Sequence, residues 1–514
     1  MNSRILKSAL ALAALTGIVA AQNTVFKRHA ELDRTSVLAN QEQEISVVIK
    51  LETPNQFASR DQNRTPLNVG LVIDRSGSMA DKGKMEYAKA AAKFIVDNLT
   101  SEDRLSIVEY DDRIKVLWPS SAVTSKTQIK RAIDRLEPRG STNLCGGMQE
   151  GIEETGKYIR EEKLNRVILL SDGLANQGVT DRSSIYRFAR NARQSGVTIS
   201  TIGLGLEYDE DLMQGIAENG SGRYYYVESP SQMESIFRQE LSSLSSTLVQ
   251  NINIQFRGSG CVKSVKVYGY DCATERGITS IPLSAFYAGE SRSVLVKLKV
   301  TALSEGKKEL GTLHYTWKET ESGKIRKDTS AISVEVTSSK VKVASSENKP
   351  VLAEVTLIEA EDEHEKNVRL FEQGQEELAR QNMVALQSKL SQANSSLSDI
   401  RISKKMEAVA MEEKDMDRAA QAPEAKSSYV KQRKQALYYA KKGQRSKYIL
   451  ENGNSGSEVQ KLQEKLKDNN MYNGPIDGNY TEEVEAAVKE YQKSNGMTDD
   501  GVAGPETLRK LELY

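Results

Sequence analysis

Between residues 66 and 245, short apolar stretches alternate with longer amphipathic stretches. Strands that alternate with helices of this length form a parallel sheet with helices packed on both faces. The carboxyl ends of such strands deliver their loops to one edge of the sheet, where ligands bind. The pattern predicts strands at residues 67–73, 105–110, 165–170, 197–202 and 223–227, and helices at residues 84–99, 128–136 and 183–193.

The two segments that flank this alternating region are typical of β structure. Several of their stretches alternate apolar and polar residues, as half-buried antiparallel strands do. The simplest arrangement is one β-sandwich, formed by residues 22–65 and 246–340, into which an α/β domain at residues 66–245 is inserted. The expected strands of the sandwich lie at residues 45–51, 251–256, 293–300 and 329–336.

Residues 1–21 have the layout of a secretory signal peptide. Arg4 and Lys7 precede an apolar run that ends in small residues before Gln22. An uncleaved anchor is the alternative, but the run is shorter than the ~20 residues that span a bilayer. No later segment is long and apolar enough to cross a membrane. We therefore expect a mature chain outside the cytoplasm, in the periplasm or at the cell wall.

The charge balance and the scarcity of Cys and His exclude several classes of protein. The 514 residues include 71 basic and 71 acidic ones, so binding to nucleic acid through overall charge is not expected. Three Cys and three His are too few for a disulfide scaffold, a zinc ribbon or a His-based catalytic centre. Cys145 is expected to be a free thiol. A disulfide between Cys261 and Cys272 stays open, although their spacing along one strand disfavours it.

Hydroxyl and carboxylate side chains follow the predicted strands. Asp74, Ser76 and Ser78 come directly after the first strand, Asp172 follows a later strand, and Thr142 precedes a helix. Three loops thus bring two carboxylates and three hydroxyls to one edge of the sheet. Oxygen ligands without His or Cys suit Mg²⁺, Mn²⁺ or Ca²⁺. The alternative is that the two hydroxyls of Ser78 and Thr142 cap the helices that follow them.

This D-x-S-x-S motif, with a separate Thr and a separate Asp, resembles the metal-ion-dependent adhesion site of the von Willebrand factor type A family. The resemblance covers residues 66–245 and implies a doubly wound, Rossmann-like domain. It also implies that a divalent cation, Mg²⁺ by default, accepts an acidic residue of a protein partner at an open coordination position. The residues that the resemblance assigns to the metal are Asp74, Ser76, Ser78, Thr142 and Asp172.

Residues 451–514 are expected to form a small helical domain. Its two Asp-Gly turns, at Asp477 and Asp500, each precede a helix and look like an internal repeat. Both Asp residues are interpreted as turn and cap residues. The pattern resembles the peptidoglycan-binding domain type 1 of cell-wall hydrolases, which implies peptidoglycan as a ligand without assigning the binding residues. Candidates for a wall-facing groove, with core packing as the alternative, are Tyr472, Tyr480 and Tyr491.

Residues 341–450 are polar, and we expect a helical region that continues into a linker. A loose apolar stripe between residues 368 and 390 predicts a helical hairpin. Residues 406–447 are rich in Ala, Lys, Glu and Gln, which favours a flexible or partly helical linker. Its basic run from Lys431 to Lys447 either is solvated or contacts an anionic polymer.

Catalytic motifs are not recognisable in this sequence. His364-Glu365 lacks the second His of a zinc-protease motif, and no phosphate-binding loop is present. We therefore expect a non-enzymatic adaptor or adhesion protein that binds a protein partner through the cation and peptidoglycan through its C-terminal domain. The alternative is a cell-wall hydrolase, or an accessory factor, that the C-terminal domain targets to the wall.

Overall fold

The structure is a computed structural model that describes most of the chain from Val25 to Leu513. The signal peptide expected at residues 1–21 lies outside the described residues. The positions outside the description are 1–24, 55–64, 160–163, 228–232, 234, 235, 238, 239, 242, 243, 245, 246, 302, 442–449, 451, 453–456, 498, 500, 504, 512 and 514.

Three strands precede the α/β domain in the described part of the chain: β1 (Lys27–Leu32), β2 (Ser36–Leu38) and β3 (Gln43–Glu52). The middle of β3 is buried on both faces, because sheet neighbours and a later helix cover it. Val48, for example, packs against Val351 of that helix.

The α/β domain contains a six-stranded sheet with helices between its strands, as the alternating pattern predicts. In spatial order the sheet reads β6-β5-β4-β7-β8-β9, and only the edge strand β6 is antiparallel to its neighbour. The strands are β4 (Leu67–Asp74), β5 (Arg104–Tyr110), β6 (Ile114–Ala122), β7 (Leu164–Ser171), β8 (Val197–Leu204) and β9 (Ser221–Val227). The helices are α1 (Lys84–Asn98), α2 (Lys126–Asp134), α3 (Leu144–Gly156), α4 (Arg182–Gln194) and α5 (Glu210–Asn219).

The centre of this sheet is covered on both faces. Every residue of β4 and of β7 is buried, which explains why both strands read as nearly continuous apolar runs. Helix α3 lies directly on β4, since a Cβ on Gly151 would come within 2.2 Å of Val72 Cγ2. This close approach fixes the loop before α3 next to the carboxyl end of β4. Strand β6 is absent from our prediction because only one of its residues is fully buried and because it includes Pro119.

A sheet-rich region follows, and it incorporates the first three strands. One sheet has the order β1-β3-β15-β11; the other has the order β12-β13-β10-β16-β17-β2, with β14 beside β10. Buried side chains of both sheets form a single apolar cluster that includes Val47, Phe256 and Val296. The added strands are β10 (Thr247–Gly258), β11 (Val262–Val267), β12 (Ala273–Glu275), β13 (Ile278–Leu283), β14 (Phe286–Tyr287), β15 (Ser291–Val300), β16 (Gly306–Glu319) and β17 (Ile325–Thr337).

All three cysteines are free thiols. Cys261 and Cys272 flank β11, so a strand separates them and no bridge joins them. Burial raises the pKa of the Cys145 thiol to about 11, which makes this thiol a poor nucleophile at neutral pH.

The segment after the sheets is helical up to residue 441. Residues 406–447 were expected to be a flexible or partly helical linker, and the helical alternative agrees with residues 406–441, which lie mostly in two packed helices; residues 442–449 lie outside the described residues. The solvated interpretation of the basic run is wrong at Lys431 and Lys434, because both side chains are buried against acidic partners. The helices are α6 (Lys340–Ser345), α7 (Lys349–Glu372), α8 (Glu376–Leu397), α9 (Ile400–Ala419) and α10 (Pro423–Lys441).

A buried ionic group joins α7, α9 and α10. Glu412 Oε1 lies 2.7 Å from His364 Nε2 and 3.3 Å from Arg433 Nε, and it accepts a hydrogen bond of 2.9 Å from the Tyr429 hydroxyl. Burial alone would raise the pKa of Glu412, but the charges of Arg433 and His364 outweigh it and lower this pKa to about 2. The His364-Glu365 pair therefore has a structural role at His364.

We expect Glu412→Gln to destabilise the helices by about 3 kcal/mol at pH 7. Because the folded-state pKa is lowered, this stabilisation is complete above the unfolded-state pKa and is lost as the pH falls through about 2. Urea unfolding followed by circular dichroism should separate variant from wild type at pH 7 and bring them together near pH 2. Glu407→Gln, an exposed position on the same helix, is the matched control; an equal loss in both variants would contradict the role of Glu412.

The C-terminal domain consists of α11 (Ser457–Asp468), α12 (Glu482–Ser494) and α13 (Pro505–Lys510). Its internal repeat has a physical basis in two glutamines. Gln463 Oε1 accepts the backbone N–H of Gly478 at 2.8 Å, and Gln492 Oε1 accepts that of Gly501 at 2.9 Å. Gly478 and Gly501 are therefore each fixed to the helix before them, and both have a positive φ, of 76° and 73°.

None of the helices in the described residues is both long enough and apolar enough to cross a membrane.

Candidate metal centre

The predicted ligands lie at the carboxyl ends of two neighbouring parallel strands. Asp74 ends β4, and Asp172 directly follows β7, which pairs with β4 over its whole length. Ser76 follows Asp74 and directly precedes a short 3₁₀ turn, Gly77–Gly83, which contains Ser78. The topology thus places the two carboxylates and two of the three hydroxyls at one point of the sheet edge.

The structure brings all five predicted residues together. Ser76 Oγ lies 3.1 Å from Ser78 Oγ, and the Ser78 hydroxyl donates to Asp172 Oδ1 at 2.8 Å. The Thr142 hydroxyl reaches the same place: a Cβ built on Gly173 would lie 3.3 Å from Thr142 Oγ1 and 3.7 Å from Ser78 Oγ. We call Asp74, Ser76, Ser78, Thr142 and Asp172 the five-residue cluster.

Helix capping does not account for these hydroxyls. Asn143, not Thr142, caps α3, since its side chain accepts the Gly146 N–H at 3.0 Å. Gly83 precedes α1 without a side-chain cap, and the Ser78 hydroxyl donates to Asp172 instead. Both hydroxyls are therefore available to a ligand at the cluster.

The neighbouring loops are held by an ionic group around Asp111. Asp111 Oδ2 lies 2.8 Å from Arg75 Nη2 and 2.8 Å from Arg139 Nε, while the Asp111 backbone carbonyl accepts the Asn143 N–H at 2.8 Å. The Thr142 N–H is fixed in turn by Asn176 Oδ1 at 2.9 Å. These contacts set the position of Thr142 relative to the two strand ends.

The spacing of the oxygen atoms fits a small divalent cation. Oxygens at right angles around Mg²⁺, each about 2.1 Å from the ion, stand about 3 Å apart. The separations of Ser78 Oγ from Ser76 Oγ and from Asp172 Oδ1, 3.1 and 2.8 Å, are of this size. Within the described residues, no group of three or more His, Cys, Asp or Glu side chains could hold a metal, so hydroxyls would have to complete any such shell.

Asp74 is a buried carboxylate whose negative charge is unfavourable in its surroundings. Its oxygens accept the Ser76 N–H at 2.8 Å and the Ser171 hydroxyl at 2.7 Å. Burial, with a smaller contribution from the nearby charge of Asp172, nevertheless raises the pKa of Asp74 to about 6. A bound cation would offset both effects, because it supplies the positive charge that this buried carboxylate lacks.

Three residues around the cluster escaped sequence reasoning. The Tyr110 hydroxyl donates to the Leu170 carbonyl at 2.9 Å and lies 3.3 Å from Asp74 Oδ2. Lys84 Nζ lies 2.6 Å from Asp172 Oδ2. Ser171 had a detectable signal, since it adjoins Asp172 at a strand end. Tyr110 and Lys84 had none, because only the fold brings them to the carboxylates.

The three tyrosines proposed for a wall-facing groove are all buried. Their exposed fractions are between 2% and 5%. The Tyr480 hydroxyl donates to the Gly501 carbonyl at 2.8 Å, and the Tyr472 hydroxyl donates to the Pro475 carbonyl at 3.0 Å. These contacts, with membership of one apolar cluster, support the packing interpretation for Tyr472, Tyr480 and Tyr491.

The fold and its sheet edge are those of a known class of domain. Residues 68–239 match the family model of the von Willebrand factor type A domain. Residues 455–511 match the model described as "Putative peptidoglycan binding domain". The chain therefore contains a von Willebrand factor type A domain followed by a domain of the peptidoglycan-binding family, and both sequence resemblances are confirmed.

Two curated proteins and one solved structure illustrate the similarity. Uncharacterized protein YfbK of Escherichia coli is 31% identical over 206 residues, which are 40% of this chain and 36% of that protein. Inter-alpha-trypsin inhibitor heavy chain H2 of Mus musculus is 26% identical over 209 residues, 39% of this chain and 22% of that protein. The match thus spans less than half of either relative.

The solved structure is a von Willebrand factor type A protein from Catenulispora acidiphila. It matches with a TM-score of 0.57 at 17% identity, over 72% of this chain and 87% of that one. At this identity the likeness concerns the fold alone.

Proposed function

We propose that the mature chain is a non-enzymatic adaptor or adhesion protein of the cell envelope. In this proposal the five-residue cluster holds a divalent cation, Mg²⁺ by default and otherwise Mn²⁺ or Ca²⁺. The cation binds an Asp or Glu of a protein partner, while the C-terminal domain binds peptidoglycan. Such a chain would act in the periplasm or at the cell wall after removal of the signal peptide.

One observation carries the metal-dependent half of the proposal. The Ser78 hydroxyl stands between Ser76 Oγ and Asp172 Oδ1, at separations that suit adjacent ligands of one small cation. Hydroxyls are neutral, so a cation held largely by them loses less of its positive charge than one held by carboxylates alone. That charge is what a carboxylate from another molecule would bind.

The packing of the two sheets supports the proposed division of the chain into units. The shared apolar cluster of the two sheets supports one sandwich interrupted by the α/β domain. The proposed units are a signal peptide at 1–21, a sandwich at 22–65 and 246–340, the von Willebrand factor type A domain at 66–245, a helical region and linker at 341–450, and the peptidoglycan-binding domain at 451–514.

A pull-down with residues 22–514 tests the metal-dependent half. The chain is mixed with envelope extract in Mg²⁺ and, in parallel, in EDTA; Asp172→Ala provides the comparison. We expect a protein that is retained by the wild-type chain in Mg²⁺ and lost both in EDTA and with the variant. Equal retention in all three samples would show that the cluster does not bind the partner.

Removal of residues 451–514 tests the wall-binding half. We expect this deletion to abolish co-sedimentation with purified peptidoglycan and to leave Mg²⁺ binding unchanged, because the five-residue cluster lies in a different domain. Isothermal titration calorimetry measures the metal. Loss of both activities in the deletion variant would contradict the modular arrangement.

The enzymatic alternative has its own test. A hydrolase targeted by the C-terminal domain would release soluble fragments from purified peptidoglycan, and an adaptor would release none. Dye release from labelled peptidoglycan, with a known muramidase as the positive control, distinguishes the two.

A further inference from the structure

Lys84 is a buried positive charge at the five-residue cluster. It is the first residue of α1, and its side chain is only 9% exposed. Its ammonium group lies 2.6 Å from Asp172 Oδ2. On its other side, a Cβ built on Gly205 would lie 3.7 Å from Lys84 Cε, so the loop after β8 packs against its stem.

Both carboxylate oxygens of Asp172 contact other side chains of the protein. Oδ1 accepts from the Ser78 hydroxyl at 2.8 Å, and Oδ2 faces Lys84. A surface lysine would pair with a carboxylate weakly and transiently. Lys84 is instead fixed by packing, and Asp172 is fully buried, so the pair is a permanent part of the site.

The charge of the site follows from a simple count. Asp74 and Asp172 contribute two negative charges, which balance the two positive charges of a divalent cation in this count. Lys84 adds one positive charge, so a loaded site keeps an excess of one. In a buried site such a charge acts strongly on its neighbours, because little water screens it.

We propose that Lys84 lowers the affinity of the site for the divalent cation and raises the affinity of the bound cation for a partner carboxylate. This inference rests on the proposed function and names a further residue that determines it. Lys84 touches neither partner nor cation; it acts through Asp172 and through its charge. The two affinities therefore depend on Lys84 in opposite directions.

The test measures the two affinities separately in residues 22–514. Mn²⁺ alone is titrated by electron paramagnetic resonance, and acetate binding to protein-held Mn²⁺ is measured from the relaxation of its ¹³C-labelled carboxyl carbon. We expect Lys84→Met to bind Mn²⁺ at least about ten-fold more tightly and acetate at least about ten-fold more weakly than wild type. Lys84→Arg, which keeps the charge, should stay near wild type in both.

The outcomes separate this inference from the proposed function. If the wild type binds no Mn²⁺, the proposed function fails and the role of Lys84 fails with it. If the wild type binds Mn²⁺ and acetate but Lys84→Met changes both affinities in the same direction, or neither, only the role of Lys84 is overturned. Should Lys84→Met not fold, Lys84→Gln removes the charge while its amide still donates to Asp172, and the same two readouts apply.

Discussion

Replacing Asp74 with Asn should abolish the metal-dependent retention of a partner and weaken Mg²⁺ binding by at least about 100-fold, since metal affinity depends on the charge of the ligands. Asp74 is fully buried and accepts from the Ser76 N–H and the Ser171 hydroxyl. An Asn side chain keeps the shape and still accepts from Ser76, so the local backbone is retained. Calorimetric titration with Mg²⁺ measures the loss.

The thermal stability of Asp74→Asn provides a second test of the same prediction. Because burial raises the pKa of Asp74 to about 6, its charged form opposes folding at neutral pH in the absence of metal. We therefore expect Asp74→Asn to melt no lower than wild type in EDTA, and to lose the rise in Tm that Mg²⁺ gives the wild type.

Asp112→Asn is the matched control. Asp112 lies at the same edge of the sheet, but its side chain is half exposed and belongs to none of the contacts of the cluster. Asp112→Asn should bind Mg²⁺ and the partner as tightly as the wild type does. Metal-dependent retention that survives in Asp74→Asn would rule out the cluster as the binding site.

The meeting of Asp74 and Asp172 at one edge of the sheet could be predicted, because the fold class dictates where the loops after parallel strands lie. Once the alternating pattern is interpreted as a parallel sheet, the residues after β4 and β7 must lie at one edge. That inference needs no side-chain detail, and it brings Asp74 to Asp172 across 98 residues of chain. Thr142 could be placed on a neighbouring loop because a helix was expected to follow it, although the bounds of α3 were not predicted.

Lys84 could not be predicted in this way. A lysine at the start of an amphipathic helix usually points to solvent, and nothing in its sequence neighbourhood marks it. Its role depends on the 3₁₀ turn, Gly77–Gly83, which turns α1 so that its first residue faces Asp172. The geometry of that turn is a tertiary property.

The helical content of residues 406–441 was underestimated for a related reason. Residues 406–441 have few large aliphatic residues, so hydrophobic periodicity gives little signal. Their burial relies on tyrosines and on the stems of lysines. The Tyr438 and Tyr439 hydroxyls of α10 donate to the carbonyls of Gly222, at 3.3 Å, and of Tyr224, at 2.8 Å, in β9. Helix α10 is therefore docked on the α/β domain.

Lys434 is the ionic centre of this docked helix, and Lys434→Met should weaken the docking by about 3–5 kcal/mol, the usual cost of removing one partner of a buried ionic group. Its side chain is 4% exposed and lies 3.0 Å from Glu210, 3.1 Å from Asp211 and 2.8 Å from Glu372. Methionine fills the volume but leaves three carboxylates close together without their cation. Lys431 still pairs with Glu210, so we expect α10 to open more often while the rest of the chain stays folded.

Hydrogen exchange of the backbone amides of α10 measures this opening. The pH dependence of their protection provides a second test. Burial would raise the pKa of Glu210, but Lys434 and Lys431 lower it to about 2. The stabilisation that Glu210 provides is therefore complete above its unfolded-state pKa and is lost as the pH falls through about 2. Burial raises the pKa of Glu372, so the pair of Glu372 with Lys434 weakens at a higher pH, and variant and wild type should have converged by about pH 2. Lys426→Met is the control on the same helix, because its pair with Glu376 is partly exposed and contributes little. Equal protection of α10 in Lys434→Met and Lys426→Met at pH 7 would show that the tyrosine contacts with β9, rather than the buried lysine, hold this helix on the α/β domain.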